Sequence, residues 1–375
     1  MIALARKSLV YEWRRFLPVV FAVGFACLLQ LLQASLVLGV FKSASVQVSG
    51  SAAQLWVTYP GTASVNFGRA LPAGLDAMLR MDPAVERVEP FQWQDGNWRG
   101  TAGNVAVSVS GINPQADGLL YAQVLPAAVR VRLLEPDSVI VDRADLGTLG
   151  VAVGDSASVN GQRVRVVGAS RGLRALSGTN IVASLETARR LDAEAADADR
   201  PTYLVAQLRE PRNAAAVAAR LCCQQAFGPY QVWTAADFAR RSQLYWLLDT
   251  GAGAGVLFLA VVVFVAGAAI SSQALMAAVA GSMREYAMLN ALGVGLRSLR
   301  WVVLEQALWV GIAGLAGAVI LGTLLLLIAQ SQDVPVVFNV PVSLGCMLAA
   351  LGVTGVSGLA AVRSLRHAEP AMLLR

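Results

Sequence analysis

Charged side chains are scarce in this chain and unevenly placed along it. They make up 14% of its 375 residues, against about 25% in an ordinary soluble domain. Four long stretches contain no charged residue: Phe16–Phe41, Thr250–Met283, Gln306–Gln332 and Val334–Val362. A helix needs about 20 apolar residues to cross the hydrocarbon core of a bilayer. The missing charge therefore excludes a soluble protein and predicts four transmembrane helices.

Histidine and lysine are almost absent. The single histidine is His367, and the only lysines are Lys7 and Lys42. This excludes a His-Glu-x-x-His metal site and a Ser-His-Asp triad, and neither lysine ends a glycine-rich, phosphate-binding turn. The sequence predicts no catalytic residue, no metal site and no bound cofactor, so any ATP and Mg belong to another protein. A Ser-Lys or carboxylate-only mechanism stays open without a motif to indicate it, and the pair Asp142 and Asp145 is interpreted as solvated surface.

Cysteine is too rare for a disulfide scaffold. Cys27 and Cys346 lie inside apolar stretches, and Cys222 is followed directly by Cys223. A disulfide needs its Cα atoms further apart than one trans peptide holds them. We interpret the cysteines as small buried side chains, with an intermolecular bridge outside the cytoplasm as the alternative.

The first uncharged stretch predicts a retained helix, not a cleaved signal peptide. It runs for 26 residues, Phe16–Phe41, whereas the apolar core of a signal peptide covers about 7–15. No convincing small-x-small cleavage site ends it. We therefore expect it to remain in the membrane.

Basic residues next to the apolar stretches predict the orientation, because such residues stay cytoplasmic. They are Arg6, Lys7, Arg14 and Arg15 before the first stretch, Arg284, Arg297 and Arg300 between the second and third, and Arg363, Arg366 and Arg375 after the fourth. Both termini are then inside the cell and residues 42–249 outside. That outer part has 20 basic and 19 acidic residues, so the net charge of +6 comes from the cytoplasmic edges and indicates a membrane face, not nucleic-acid binding.

These observations predict an α-helical integral membrane protein with one helix, a large α+β domain and then three helices. The segments are a cytoplasmic N-terminus (1–15), helix 1 (16–41), an outer, periplasmic domain ending in a stalk helix (42–249), helix 2 (250–277), a cytoplasmic segment (278–300), helix 3 (301–330), a short outer loop (331–341), helix 4 (342–362) and a cytoplasmic tail (363–375).

Local patterns predict the elements of the outer domain. Two alternating runs flank Asn160-Gly161 within Ser156–Val167, which predicts a β-hairpin because both turn positions need positive φ. Further strands are predicted at Asn104–Ser110, Ser138–Val141 and Thr202–Leu208. Two helix-then-strand units are predicted, Leu71–Met81 with Ala84–Phe91 and Asn213–Ala226 with Gln231–Thr234. Ala193–Asp199 is expected to be an exposed loop.

Residues Ala235–Asp249 join the outer domain to the second apolar stretch. Phe238, Leu244 and Leu248 recur at helical spacing, which predicts a helix continuing into the membrane. Such a helix would be a rod able to carry force. The alternative is an interfacial anchor that uses Tyr245 and Trp246, as aromatic belts do.

Glycine is dense in the last two apolar stretches, and small residues let helices approach closely in lipid. The residues predicted to pack helices are Gly311, Gly314, Gly317, Gly355 and Gly358. Gln30 and Gln33 fall inside the first stretch, where a polar side chain usually faces protein or water. Helix–helix hydrogen bonding and a substrate-facing role are both open for them.

The run from Gly281 to Ile320 resembles the FtsX-like permease domain of ABC transporters, the group that includes MacB-like and DevC-like permeases. The pattern is Arg284-Glu285, Met288-Leu289 and Ala291-Leu292-Gly293, followed by Arg297, Arg300 and Glu305 before a glycine-rich stretch. The C-terminal basic stretch with Pro370 and Leu374-Arg375 is similar to the family's tail, and Val139–Gly168 to its periplasmic strand region. Tyr11–Arg15 and Leu55–Val57 look most like DevC-type permeases. Tyr286 departs from the small residue frequent in the family.

The resemblance implies a bacterial inner-membrane protein that works as a homodimer with two copies of a separate ABC ATPase. Residues Arg284, Glu285, Met288, Leu289, Ala291, Leu292, Gly293 and Arg297 would form the segment seated on the ATPase. DevC-like members act with an HlyD-like membrane-fusion adaptor and a TolC-like outer-membrane channel, and export lipid-like molecules. The alternatives are a lipoprotein-release permease, a regulator of a periplasmic cell-wall enzyme, and a receptor that works without an ATPase.

Overall fold

The computed structural model describes residues 11, 13–176, 178–192, 200–222, 228–281, 288, 295–331, 341, 344, 345, 348, 349 and 352. Its helices are α1 (Trp13–Ser43), α2 (Val46–Ser49), α3 (Leu75–Met81), α4 (Ala127–Arg130), α5 (Leu146–Leu149), α6 (Leu185–Leu191), α7 (Ala214–Leu221), α8 (Ala235–Leu244), α9 (Gly251–Gly281) and α10 (Leu296–Ser331). Its strands are β1 (Leu55–Thr58), β2 (Val85–Gly100), β3 (Gly103–Ile112), β4 (Ser138–Asp142), β5 (Ser156–Val159), β6 (Gln162–Ser170), β7 (Thr179–Ser184), β8 (Tyr203–Leu208) and β9 (Gln231–Thr234).

The chain divides into two compact units. One, the membrane unit, consists of Met1–Gly39 with Gly255–Arg375, and the other, the outer domain, consists of Val40–Ala254. Within the described residues, three helices are long and apolar enough to cross a membrane, over Phe16–Ser43, Gly253–Ala278 and Trp301–Ala329. Three of the predicted spans are thereby confirmed, with an α/β domain inserted after the first. The predicted fourth span, 342–362, lies largely outside the described residues.

The strands of the outer domain form a sheet in the order β3-β7-β4-β6-β5-β2-β8-β1-β9, and β3 also pairs with β2. That extra pairing closes a ring of six strands, β2, β3, β7, β4, β6 and β5. The long strand β2 belongs to both parts, because Phe91 and its predecessors pair with β8 while Gln92–Gly100 pair with β3. A closed ring protects the strand edges within it, and among the described strands β9 stands at the end of the β8-β1-β9 extension.

The hairpin signal is confirmed. Strands β5 and β6 pair antiparallel, Asn160 has φ 50° and Gly161 has φ 83°, as a two-residue turn of this type requires. The turn is also held from outside, since the backbone N–H of Asn97 donates to Asn160 Oδ1 over 2.8 Å. The tip of the hairpin therefore fixes its register against β2.

Both predicted helix-then-strand units are present, but three of their four elements have different bounds from those predicted. Helix α3 starts at Leu75, not Leu71, and α7 ends at Leu221, not Ala226. Strand β2 runs on past Phe91 to Gly100, while β9 matches its predicted bounds. Both helices bury their apolar faces in one core with the β8-β1-β9 strands: Leu75, Leu79, Val217, Leu221, Leu55, Leu204 and Val232 belong to it. The predicted loop Ala193–Asp199 lies outside the described residues.

Two interpretations of polar residues in the outer domain are wrong. Asp142 and Asp145 are buried, not solvated, because Asp142 Oδ2 accepts from the backbone N–H of Leu173 and Arg174 and so holds the neighbouring loop. Cys222, interpreted as a thiol, is disulfide-bonded, and Cys223 lies outside the described residues. Cys27 is free and buried, as expected.

Candidate functional site

The helix that leads toward the membrane, α8, begins on a capped turn at the end of edge strand β9. The Thr234 hydroxyl accepts from the backbone N–H of Asp237 over 3.1 Å and donates to the Asp237 carboxylate over 2.8 Å. Threonine is a favoured residue at this position because it satisfies a backbone donor that the first turn leaves open. The direction of α8 is therefore set by the sheet.

Helix α8 and the turn after it are fastened to the body of the outer domain by side-chain hydrogen bonds. The pairs are Arg241 Nε to the Thr62 carbonyl (3.1 Å), the Val65 N–H to Ser242 Oγ (3.3 Å), Gln243 Nε2 to Ser45 Oγ (2.9 Å) and Trp246 Nε1 to Ser64 Oγ (3.2 Å). They reach two separate segments, the turn before α2 and residues 62–65. Helix α8 therefore moves with the outer domain as one piece.

An aromatic cluster lies beneath α8. Phe238 of the helix packs against Trp56 with ring centroids 5.6 Å apart and against Tyr203 at 6.0 Å. Phe91 stacks on Tyr203 at 5.7 Å, and the Tyr203 hydroxyl donates to the Val65 carbonyl over 2.7 Å. All four rings are fully buried. Aromatic pairs add about 0.5–1.5 kcal/mol beyond their buried area, which makes this cluster a rigid seat for the helix.

The helix does not continue unbroken into the next span, which corrects the expected rod. Residues Tyr245–Asp249 are π-helical, and Thr250 is extended, with φ −106° and ψ 140°. The Thr250 hydroxyl donates to the Trp246 carbonyl over 2.5 Å and accepts from the Gly253 N–H over 3.3 Å. Thr250 thus ends one helix and caps the start of the next, so the interruption is a turn stabilised by the hydrogen bonds of Thr250.

Gly253 is required by this turn. A Cβ there would lie 2.5 Å from the Leu247 carbonyl oxygen and 2.6 Å from Leu247 Cα, and it would overlap the Trp246 carbonyl oxygen. These are backbone atoms, so no side-chain rotation relieves the clash. A Cβ on the neighbouring Gly251 would meet nothing within 4 Å.

In the membrane unit, α1 and α10 approach each other at a pair of glycines. A Cβ on Gly314 would lie 2.9 Å from the backbone nitrogen of Gly24 and 3.1 Å from the Val20 carbonyl oxygen. A Cβ on Gly24 would lie 3.0 Å from the Gly314 carbonyl oxygen. The sequence analysis predicted Gly314 as a packing residue but not Gly24. Gly24 lies between bulky apolar residues outside the glycine-rich stretches, so the local frequency of glycine did not indicate it.

The other predicted packing glycines are distributed differently. Gly311 is buried. A Cβ on Gly317 would meet nothing within 4 Å, so packing at Gly317 stays a prediction. Gly355 and Gly358 lie outside the described residues.

Glutamine side chains inside the membrane unit lie against helices. Gln30 is buried, and a Cβ on Gly267 of α9 would lie 2.8 Å from its Nε2 atom. Gln33 is half-buried and Gln306 is buried. The amide of Gln30 therefore fills a gap that Gly267 leaves open, which favours a helix-packing role for this side chain.

Most of the predicted ATPase-coupling segment lies outside the described residues. This applies to Arg284, Glu285, Leu289, Ala291, Leu292 and Gly293. Met288 is helical with 50% of its surface exposed, and Arg297 lies in the first turn of α10. Their contacts with an ATPase remain a prediction.

Acidic and sulfur-containing side chains do not gather into a metal site. Within the described ranges no group of three or more His, Cys, Asp or Glu residues could hold a metal ion. The buried pair Asp142 and Asp145 is explained by local structure. Asp142 caps a turn by accepting from the Ala144 N–H over 2.9 Å, and Asp145 lies 3.4 Å from Arg174 Nε.

Comparison with known proteins matches both parts of the chain to family models. Residues 19–221 match the MacB-like periplasmic core domain and residues 254–370 match the FtsX-like permease C-terminal domain. A comparison with curated proteins finds no significant match.

Among solved structures, the periplasmic region of MacB from Actinobacillus actinomycetemcomitans is similar, at 13% identity and a TM-score of 0.38, over 52% of this chain and 94% of that one. The extracellular domain of the noncanonic ABC-type transporter YknZ from Gram-positive bacteria is similar at 14% identity and a TM-score of 0.34, over 48% of this chain and 98% of that one.

Family membership rests on the two sequence models. The first alone covers more than half of the chain, and the second covers two of the candidate spans together with the segment between them. The order of one span, an inserted α/β domain and further spans agrees with both. The chain belongs to the FtsX-like and MacB-like permeases, the membrane components of ABC transporters in the bacterial inner membrane.

Proposed function

We propose that this chain is the permease subunit of an ABC exporter that converts ATP hydrolysis by a separate ATPase into movement of its outer domain. The observation that carries the proposal is the attachment of α8. The helix is fastened to the outer domain by hydrogen bonds and by Phe238. It is covalently followed, after the π-helical residues Tyr245–Asp249 and the extended Thr250, by the apolar helix α9.

The stroke starts at the cytoplasmic segment. Closure of two ATPase copies pushes Arg284, Glu285, Met288, Leu289, Ala291, Leu292, Gly293 and Arg297 of each permease in a homodimer. Both termini lie on the same cytoplasmic side. The chain itself contributes no catalytic group, and ATP and Mg stay on the ATPase.

The movement then passes along α9 to the turn at Thr250 and Gly253. Because this turn is held by hydrogen bonds from Thr250 and by close backbone packing at Gly253, a shift of α9 is transmitted to α8. Helix α8 carries the outer domain with it. The coupling element is thus the turn formed by Thr250 and Gly253.

The outer domain acts on the substrate from the periplasmic side. We propose a lipid-like or amphiphilic substrate, delivered to an HlyD-like membrane-fusion adaptor and a TolC-like outer-membrane channel, as in DevC-type exporters. Strand β9, which stands at the end of the strand order, leads directly into α8.

Isolation of the full-length chain from native membranes, followed by identification of its partners, tests this function. We expect an ABC ATPase and a membrane-fusion adaptor to accompany it. A peptidoglycan hydrolase or a lipoprotein carrier in place of the adaptor would instead indicate the regulatory or the lipoprotein-release function. Isolation without any ATPase would contradict the proposal as a whole.

A charge reversal in the cytoplasmic segment tests the coupling step. Glu285→Arg should leave membrane insertion intact and abolish export, because it places repulsive charge in the segment that receives the push. The matched control is Glu186→Arg, an exposed carboxylate on α6 of the outer domain. Undiminished export by Glu285→Arg would remove the coupling assignment.

A further inference from the structure

A cleft of about 370 Å³ lies on one side of α8 at the base of the outer domain. We refer to it as the stalk cleft and define it by six of its lining residues: Trp233, Arg240, Arg241, Leu244, Tyr245 and Leu248. Five of the six lie on one helical face, at spacings of one, three and four residues. The arrangement points to an amphiphile, and we propose that the stalk cleft binds a phospholipid-like molecule with one phosphodiester group.

The first argument is the order of chemistry along the cleft. Of the lining residues on α8 and the turn after it, Arg240 and Arg241 come first along the chain. Leu244, Tyr245 and Leu248 follow them toward the residues that begin the membrane span. At about 1.5 Å per residue, the arginines and Leu248 are about 10–12 Å apart along the helix axis. A charged end followed by an apolar end at this distance matches a headgroup and the first part of an acyl chain.

The second argument is the exposure of the apolar end. Leu248 is 65% exposed and Leu244 is 46% exposed. Beside them Phe67, 51% exposed, packs against Tyr245 with ring centroids 5.4 Å apart. Grouped exposed apolar side chains on a folded domain usually mark an interaction surface, and these three leave that surface uncovered within the outer domain.

The third argument is the covalent link to the membrane. Leu248 lies five residues before Gly253, the first residue of a candidate membrane span. Five residues reach at most about 18 Å even when fully extended, so the apolar end of the cleft cannot be far from the bilayer surface. A membrane lipid is the apolar partner available at that position.

The fourth argument is how the two arginines of the cleft are held and exposed. Arg241 lies over the Trp233 ring at 5.2 Å and donates through Nε to the Thr62 carbonyl, so its guanidinium is held in place. Arg240 is 74% exposed beside Asp237. Guanidinium groups bind phosphate oxygens with paired N–H donors. The cleft also contains Asp237 and Asp249, which balance the two arginines and favour a single phosphodiester over a polyanion.

The role of this site as a substrate-entry point rests on the proposed export function, whereas the binding itself does not. The experiment therefore uses the full-length permease alone, in a neutral detergent and without ATP. Its retention of dioleoyl phosphatidylglycerol is measured by native mass spectrometry, next to dioleoylglycerol, which lacks the phosphate, and glycerol phosphate, which lacks the chains. We expect retention of the phospholipid well above both partial molecules.

Variants locate the binding. Arg240→Gln combined with Arg241→Gln should weaken retention about tenfold or more, because the phosphate loses its charge-assisted hydrogen-bond donors. Leu248→Ser should weaken it through the apolar end. The matched control, Arg163→Gln with Arg165→Gln, changes two arginines on strand β6 and should leave retention unchanged.

Equal retention by the double variant and its control would show lipid bound only around the membrane spans and would overturn the proposal. Binding of glycerol phosphate as strong as that of the phospholipid would also overturn it, in favour of a free-phosphate site. Because Arg241 contacts Thr62, Arg240→Gln is measured alone as well, and a loss of retention is expected there too. Retention of the phospholipid by a wild-type permease that shows no export would contradict the proposed function and leave the lipid site intact.

Discussion

The outer domain and the membrane unit hold buried polar and small residues in different ways. In the outer domain the buried amide of Asn180 is matched by partners: its Nδ2 donates to the Tyr121 hydroxyl over 2.9 Å and to the Leu173 carbonyl, and its Oδ1 accepts from Ser110. In the membrane unit the close contact of α1 with α10 is made by Gly24 and Gly314, with hardly a side chain between the backbones.

The difference follows from the two solvents. In water, burial of apolar surface drives packing, and polar groups must be paired before they can be buried. In lipid, apolar burial gives no drive between helices, so shape and backbone approach decide which surfaces meet. A residue change should therefore act mainly through volume at the helix contacts of the membrane unit, and through charge or hydrogen bonding at the buried polar positions of the outer domain.

The largest effect on stability is expected at Gly253, near the end of the outer domain. There the volume of an added side chain decides the effect, as it does at the helix contacts of the membrane unit. Gly253→Ala forces a Cβ against backbone atoms of Trp246 and Leu247, and we expect a loss of about 3 kcal/mol, at the upper end for overpacking. Thermal unfolding of the full-length chain in detergent measures it, together with export. Gly251→Ala is the control, since its Cβ meets nothing within 4 Å. Equal behaviour of both variants would show that the turn is not constrained.

A smaller effect is expected at the helix contact in the membrane unit. Gly314→Ala places a methyl group 2.9 Å from the backbone nitrogen of Gly24, and we expect a destabilisation of about 1–3 kcal/mol. Gly317→Ala on the same helix should be neutral or stabilising, because alanine gains up to about 1 kcal/mol of helix propensity without a clash. The difference between their unfolding temperatures in detergent measures the contact. A loss at Gly317 equal to that at Gly314 would point to a general need for glycine in this helix.

The smallest effect is expected from a buried charge in the outer domain. Burial raises the pKa of Asp145 above its usual range, with Arg174 opposing the shift and Asp142 adding to it. The folded state therefore holds this proton more tightly than the unfolded state, and Asp145 costs stability increasingly as the pH rises from the ordinary aspartate range through the folded pKa. The unfolding temperature of Asp145→Asn minus that of the wild type should grow from pH 4 to pH 7. Asp76→Asn, at an exposed position of α3, should show no such trend, and a falling difference for Asp145→Asn would contradict the sign.

Local signals explain what could be predicted about the fold. The absence of charge located three spans that the structure describes, and Asn160-Gly161 located a hairpin within a residue or two, because both signals act on neighbours in the chain. The helix beginning at Leu75 was predicted too long because Gly74 before it has a left-handed φ of 86°, although Leu71 is buried. The helix beginning at Ala214 ends at Leu221 because Cys222 is extended, with φ −66° and ψ 136°, and apolar spacing alone shows neither. The predicted rod failed at Thr250, where hydrogen bonds to Trp246 and Gly253 make an extended residue stable.

The sequence by itself determined that the chain enters a membrane, how its apolar stretches divide it, and which family pattern it has. These properties depend on composition and on short spacings. Only the tertiary structure decided that β3 closes a ring with β2, that Gly24 meets Gly314, that Asp145 is buried and that α8 belongs to the outer domain. Each of these depends on contacts between residues far apart in the chain. The local sequence pattern does not indicate which distant surface will cover a given segment.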